Sequence, residues 1–285
     1  MAMTRRTLLA AAAFAPAARL LTAKKLSGLK IGVTDWNLGR TGKVDALAFA
    51  RSLGFEGVEV SLGRNNGADS IPLANPDLQA QYLEAAAKQE IAIAGTCLDI
   101  LHQNYLKNDP LGKKWVAQGI PATKKLKARV MLLPFFGKGA LETAAEKDYV
   151  GDILKELAPE AEKAGVMLGL ENMISAEDNV RIMDRSQSKA VRAYYDVANS
   201  SRAGFDPVKE IRWLGKDRIC QVHLKDHGYL GEGKIDFPGI LRALADIGYS
   251  GFANLETSNP SGSVEADMKR NLSYIRKLMD ELRGA

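Results

Sequence analysis

From Leu29 onward, short β-branched or apolar runs alternate with longer stretches whose apolar residues recur at helical spacing. Eight such runs occur: Lys30 to Trp36, Gly57 to Leu62, Ile91 to Leu98, Arg129 to Phe135, Val166 to Glu171, Val191 to Val197, Ile219 to Lys225 and Phe252 to Thr257. Between them, Val44 to Leu53 carries apolar residues at Leu47, Ala48 and Ala50, and Tyr149 to Ala164 carries them at Ile153, Leu154, Leu157 and Ala161. Gly54, Gly165 and Gly248 follow helical stretches where a left-handed cap belongs. The mean interval between strands is about 31 residues, the size of one βα unit with its loops. Eight near-equal units predict an α/β fold, a single (β/α)8 TIM barrel. A doubly wound open sheet uses the same units, but no Gly-rich dinucleotide fingerprint follows the first strand. The stretch Val264 to Leu282 is expected to close the outer ring of helices.

Residues 1–28 lack this alternation. Thr4-Arg5-Arg6-Thr7-Leu8-Leu9 leads into an alanine-rich apolar run to Ala18, with small-x-small patterns ending at Ala17 or Ala23. The pattern predicts a twin-arginine export signal and a disordered tail over 1–28, a barrel domain over 29–285, and a periplasmic location in a bacterium. Pro16 and the absence of a polar face argue against an amphipathic helix there. The apolar run is too short to span a membrane and no later run reaches that length, so no stable membrane insertion is expected. Without residues 1–23, which hold Arg5, Arg6 and Arg19 and no acid, the net charge falls from +5 to +2. A nearly balanced body offers no electrostatic footprint for nucleic acid. Cys97 and Cys220 fall in strands on opposite sides of the expected barrel, which predicts two buried thiols and no disulfide or thiolate metal site.

In a TIM barrel the chemistry sits at the C-terminal ends of the strands. The last four strands end Leu168-Gly169-Leu170-Glu171-Asn172, Tyr194-Tyr195-Asp196-Val197, Gln221-Val222-His223-Leu224-Lys225 and Asn254-Leu255-Glu256-Thr257. They present Glu171, Asp196, His223 and Glu256. With 34 acids and 3 histidines in 285 residues, composition alone rarely places such residues at four consecutive strand ends. Singly, each has another use: Glu171 and Glu256 to pair with an arginine, Asp196 to cap the next helix, His223 to serve as a satisfied core histidine. Together, three carboxylates and one imidazole repel one another unless a cation intervenes. The set suits one divalent metal ion, Mn²⁺, Mg²⁺ or Co²⁺ in octahedral geometry, with two positions left for water or substrate oxygens; Zn²⁺ is less favoured.

The chain resembles a known family at five places: Gly54-Phe55-Glu56-Gly57-Val58-Glu59, Leu170-Glu171-Asn172, Tyr195-Asp196-Val197-Ala198-Asn199, His223-Leu224-Lys225-Asp226, and the Gly231-Glu232-Gly233-Lys234-Ile235-Asp236-Phe237 loop. These are similar to motifs of the xylose-isomerase-like TIM barrels, the sugar phosphate isomerase/epimerase family that includes ketose 3-epimerases, hydroxypyruvate isomerase, inositol-catabolism enzymes and endonuclease IV. The resemblance implies that Glu171, Asp196, His223 and Glu256 bind one divalent metal, that Glu171 and Glu256 double as catalytic acid and base, and that Glu177 contacts substrate. It also implies a homo-oligomer. Two positions depart from the epimerases: Asn199 stands where they carry histidine, and Tyr229 where they carry arginine. Both positions contact the sugar in the epimerases, so a different sugar or reaction is expected.

Removing a proton from carbon beside a ketone creates an enediolate, which a divalent cation chelating two adjacent oxygens stabilises. Two carboxylates on opposite faces of the sugar then pass protons, giving epimerisation or aldose–ketose isomerisation. An exported enzyme meets free sugars, so the expected function is a metal-dependent isomerase or epimerase of a non-phosphorylated ketose or keto-sugar. The alternative is a lyase or hydratase acting on 3-keto-glycosides through the same enediolate. A phosphodiesterase like endonuclease IV is a distant third, because its trinuclear centre needs more histidines than His102, His223 and His227. The complete quartet also argues against an inactive sugar-binding barrel. Further substrate-binding candidates are His102 beyond the third strand, Asn199, Lys225 and His227 past the metal-binding histidine, and Trp36, placed to stack on a sugar face or to pack. Glu232 sits in a Gly-flanked loop that suits a lid or a plain turn.

Overall fold

All eight apolar runs are strands in the computed structural model, which describes Leu26 and residues 28–64 and 69–284. They are β1 (Leu29–Thr34), β2 (Gly57–Ser61), β3 (Ala92–Cys97), β4 (Val130–Pro134), β5 (Met167–Glu171), β6 (Val191–Asp196), β7 (Ile219–Leu224) and β8 (Gly251–Leu255). Every pairing is parallel, and β8 closes on β1, so the expected (β/α)8 barrel is the fold. Its helices are α1 (Ala46–Leu53), α2 (Pro76–Gln89), α3 (Pro110–Lys125), α4 (Ala144–Ala164), α5 (Ala176–Ser186), α6 (Val197–Arg202), α7 (Pro207–Leu214), α8 (Phe237–Asp246) and α9 (Val264–Gly284). Short 3₁₀ turns lie at Pro72–Ala74, Asp99–His102 and Gly137–Gly139.

Local chemistry explains the boundaries. Gly54 and Gly165 adopt φ of 97° and 71° and close α1 and α4 as left-handed caps. Helix α4 begins at Ala144, earlier than apolar spacing indicated, because Thr143 and Glu146 form a reciprocal capping box that satisfies the first free N–H groups. The expected export signal lies outside the described residues. Leu26, assigned above to the disordered tail, is instead 1% exposed and packs in the core, because an apolar side chain so close to β1 can be buried at its start. Among the described residues, no helix is long and apolar enough to cross a membrane.

A continuous apolar layer fills the space between the barrel and its helices, and a separate small cluster of Cys97, Val130, Leu132, Tyr194 and Cys220 lies inside the barrel. Both thiols are free and buried. The rest of the interior is unusually polar: Glu59, Gln221, His223 and Asn254 are each at most 1% exposed. Register brings the polar groups together. Asp196 of β6 pairs with His223 of β7, and His223 with Asn254 of β8, while Glu171 closes β5 opposite Pro134. Register shifts fall between Val58 and Glu59 and between Ala193 and Tyr194, and the Glu59 and Tyr194 side chains meet through a 2.5 Å hydrogen bond.

Candidate active site

A cavity of about 680 Å³ is lined by Trp36, His102, Glu171, Asn199, Lys225 and Glu256, among others, all at or just beyond the C-terminal ends of strands. Glu171 and Asp196 are the last residues of β5 and β6, His223 is the last but one of β7, and Glu256 directly follows β8. Glu256 is fixed there by its own N–H, which donates to the Leu224 carbonyl at 3.1 Å. One donor atom from each of the four lies within 4.8 Å of the other three.

The inner geometry assigns different work to different atoms. His223 Nδ1 is 2.9 Å from Glu171 Oε1, 3.8 Å from Glu256 Oε2 and 4.0 Å from Asp196 Oδ2. Asp196 Oδ1 accepts the N–H groups of Ala198 and Asn199, both at 2.8 Å, and so caps α6. Its Oδ2 is buried and has no hydrogen-bond partner. Capping and ligation are therefore compatible in one side chain, one oxygen for each. A buried, unbonded carboxylate oxygen facing two further carboxylates and an imidazole fits a hard divalent cation.

Glu256 is held at both oxygens. The Trp36 indole N–H donates to Oε1 at 3.0 Å and Lys225 Nζ donates to Oε2 at 2.6 Å. Lys225 Nζ also lies 3.8 Å from Asp196 Oδ2. These surroundings separate the two glutamates. Burial pushes the Glu171 carboxyl up to about 7 against the pull of His223. Burial opposes ionisation of Glu256 too, but the charges of His223 and Lys225, with the hydrogen bonds from Lys225 and Trp36, hold its carboxyl below the usual range. Asp196 is raised by burial and by Glu256. Burial works against the His223 imidazolium, yet Glu171, Glu256 and Glu59 hold it well above an ordinary histidine.

The remaining candidates divide. Asn199 is buried and lines the cavity one turn beyond Asp196. His102 lines it as well, stacked on Phe136 with ring centroids 6.3 Å apart, and burial holds its imidazole below the usual value. Trp36 does not close β1, which ends at Thr34; it lies in the following turn and reaches Glu256 through its N–H. Two expected contacts are not brought in. Glu177 is exposed in the first turn of α5, where its charge faces solvent near the helix dipole, and it is not among the cavity-lining residues. His227 is exposed in the turn after β7, with its backbone N–H donating to Asp226. Tyr229 is tied to Asp267 at 2.7 Å and lies under the Arg270 guanidinium, and Glu232 pairs with Arg270.

Sequence reasoning missed several lining residues. Arg64 and Asp99, which form an ion pair at 3.5 Å, line the cavity, as do Arg202 and Met173. It also assigned no role to Glu59, whose signal was present: an acid in the middle of an apolar run, inside a motif already noted.

Known proteins extend these observations. The model of the family described as "Xylose isomerase-like TIM barrel" matches residues 47–278. An uncharacterised protein of Methanocaldococcus jannaschii is 29% identical over 160 residues, a match covering 47% of this chain and only 54%, about half, of that relative. A 2-epi-5-epi-valiolone 7-phosphate 2-epimerase of Actinoplanes sp. is 26% identical over 206 residues, covering 69% of this chain and 72% of that protein. A solved structure of an L-ribulose 3-epimerase superposes with a TM-score of 0.72 at 19% identity, over 90% of this chain and 96% of that one, which speaks to the fold alone. The eight-stranded barrel, the quartet at its last four strand ends and the family match over most of the chain lead to one conclusion: this protein belongs to the xylose isomerase-like TIM barrel family.

Proposed function

We propose that this chain is a divalent-metal-dependent sugar isomerase or epimerase that acts on a non-phosphorylated ketose or keto-sugar by moving a proton beside the carbonyl. The observation that carries this reading is the quartet: Glu171 and Glu256 line one cavity and share a donor cluster with Asp196 and His223. The 2-epimerase activity named for the Actinoplanes relative supports the epimerase part of this reading. Glu171, Asp196, His223 and Glu256 would hold the metal. When bound, it supplies positive charge to neighbouring sugar oxygens as negative charge develops on the substrate.

The protein groups do the proton work. Glu171 and Glu256 are the acid and base, one taking the proton from carbon and the other returning it. Trp36 and Lys225 keep Glu256 from rotating, so its oxygens stay aimed at the cavity. Asn199 and His102 are placed to contact sugar hydroxyls, and Trp36, Leu132 and Phe136 form the apolar part of the wall that excludes water. The non-phosphorylated substrate rests on the export signal expected from Arg5-Arg6 and the apolar run that follows, which would place the protein in the periplasm.

The test is proton NMR in deuterated water with the Mn²⁺-treated protein, followed by removal of the metal, using free ketoses, 3-keto-glucosides and the matching sugar phosphates. Deuterium entering beside the carbonyl with connectivity intact is the expected result, and it should disappear in Glu171→Gln and Glu256→Gln while sugar still binds. Full exchange in both variants refutes the proton-transfer pair. Release of an aglycone would assign elimination instead, and exchange confined to the phosphates would move the substrate class to sugar phosphates.

A further inference from the structure

Beneath the quartet, on the side away from the cavity, His223 makes a second set of contacts that the proton chemistry does not use. Its Nε2 lies 2.9 Å from Oε2 of Glu59, a side chain with 0% exposure. The same oxygen accepts the Tyr194 hydroxyl at 2.5 Å and the Asn254 amide at 3.0 Å. Asn254 also donates to the Tyr194 oxygen at 2.9 Å. Four strands, β2, β6, β7 and β8, thus meet at one carboxylate oxygen.

We propose that Glu59 is a positioning residue that fixes the His223 ring with its Nε2 protonated and its Nδ1 turned toward Glu171, Asp196 and Glu256. This rests on the metal-centre reading above. The tautomer follows from counting donors: a carboxylate oxygen only accepts, so the nitrogen that faces it must carry the hydrogen. The other ring nitrogen, Nδ1, faces the three carboxylate oxygens at 2.9, 4.0 and 3.8 Å; without a metal the same count gives it a hydrogen toward Glu171, and that is the proton a cation displaces to ligate Nδ1. A carboxylate behind a ligating histidine sets ring orientation and makes the ligating nitrogen more basic.

The surroundings serve the same end. The Tyr194 ring lies against the imidazole with centroids 4.5 Å apart, and the Trp36 ring meets it edge-on at 6.1 Å, so the imidazole has little room to rotate. Asn254 needs Gly32 beside it, because a Cβ at Gly32 would fall 2.1 Å from Asn254 Oδ1. A fold-stabilising role alone accounts poorly for Glu59. A fully buried carboxylate is costly to desolvate, its Oε1 has no hydrogen-bond partner, and an apolar side chain of similar size would fill the space without that cost.

The experiment uses the full chain freed of metal. Titration calorimetry with Mn²⁺ compares wild type, Glu59→Gln and His223→Ala, and ¹⁵N-edited NMR of the histidine rings follows wild type with and without Mg²⁺. The expected results are an Nε2–H on His223 protected from exchange in both wild-type samples, and a Kd for Mn²⁺ about 10–100-fold weaker in Glu59→Gln. A wild-type His223 with bare Nε2 and a proton on Nδ1 overturns the proposal without reference to any variant, which covers the case of Glu59→Gln failing to fold. Wild-type binding that Glu59→Gln leaves within twofold overturns this proposal alone, and wild type that binds no Mn²⁺ overturns the metal-centre reading with it.

Discussion

Replacing Lys225 with methionine tests whether that ammonium group is the cluster's own counter-charge. Methionine retains most of the apolar stem and removes the charge. The 2.6 Å bond to Glu256 Oε2 disappears with the ammonium, and Asp196 Oδ2 no longer has a cation 3.8 Å away. With Lys225 28% and Glu256 16% exposed at their side chains, this pair is too sheltered for the near-zero value of a surface ion pair. A hydrogen bond between charged groups contributes about 1.5–3 kcal/mol, so a destabilisation of about 2 kcal/mol is expected in the metal-free protein. For a domain of this size that is a fall in Tm of about 4–8 °C. A divalent cation placed among the same oxygens substitutes for the missing charge. If it restores the whole 2 kcal/mol, thermodynamic linkage requires Lys225→Met to bind Mn²⁺ about 30-fold more tightly than wild type. Scanning calorimetry with and without metal, together with Mn²⁺ titration, measures both sides of the cycle. Equal metal affinities, with a Tm gap that persists at saturation, would refute the reasoning and make Lys225 a packing residue.

Two further outcomes are expected. His223→Ala should lose bound Mn²⁺ in elemental analysis of the purified protein, and unchanged metal content would remove His223 from the centre. Asp35 is buried, with Oδ2 accepting from Gly42 and Ser61 backbone N–H groups and Oδ1 unpartnered; burial raises its carboxyl to about 7 despite those two bonds. Unfolded, it would titrate near about 3.9, so the folded chain holds an extra proton between these values; the stabilisation is present below the lower value and lost as pH rises through about 7. Asp35→Asn mimics the protonated form, so the Tm of wild type should fall relative to the variant between pH 5 and 8, and a constant difference over that range would contradict the assignment.

Much of the site was legible residue by residue because it depends on local order. Glu171, Asp196, His223 and Glu256 stand out as the polar residues that end strands, and strand ends are set by apolar runs and the turns that follow them. Asp196 was expected either to cap a helix or to bind metal; the structure has one oxygen capping α6 and leaves the other unbonded. Glu177 and His227 show the limit of the same approach. Their distance along the chain from a ligand says nothing about which side of a helix or turn they occupy, and both are exposed. Trp36 was placed at the right end of β1, but its partner Glu256 is 220 residues away.

The alternation of eight βα units, the buried thiols and the polar strand ends follow from the chain alone, since helix and strand periods, caps and turns are properties of neighbouring residues. Closure of the barrel decided the rest. Only when β8 pairs with β1, and β7 lies between β6 and β8, does Glu59 reach His223 across 164 residues and Tyr194 across 135. Burial then separates the two glutamates: with water removed, the Glu171 carboxyl is driven up to about 7, while the charges of His223 and Lys225, with the hydrogen bonds from Lys225 and Trp36, hold that of Glu256 below the usual range. Two residues of the same type acquire opposite characters because desolvation and neighbouring charge belong to the folded interior.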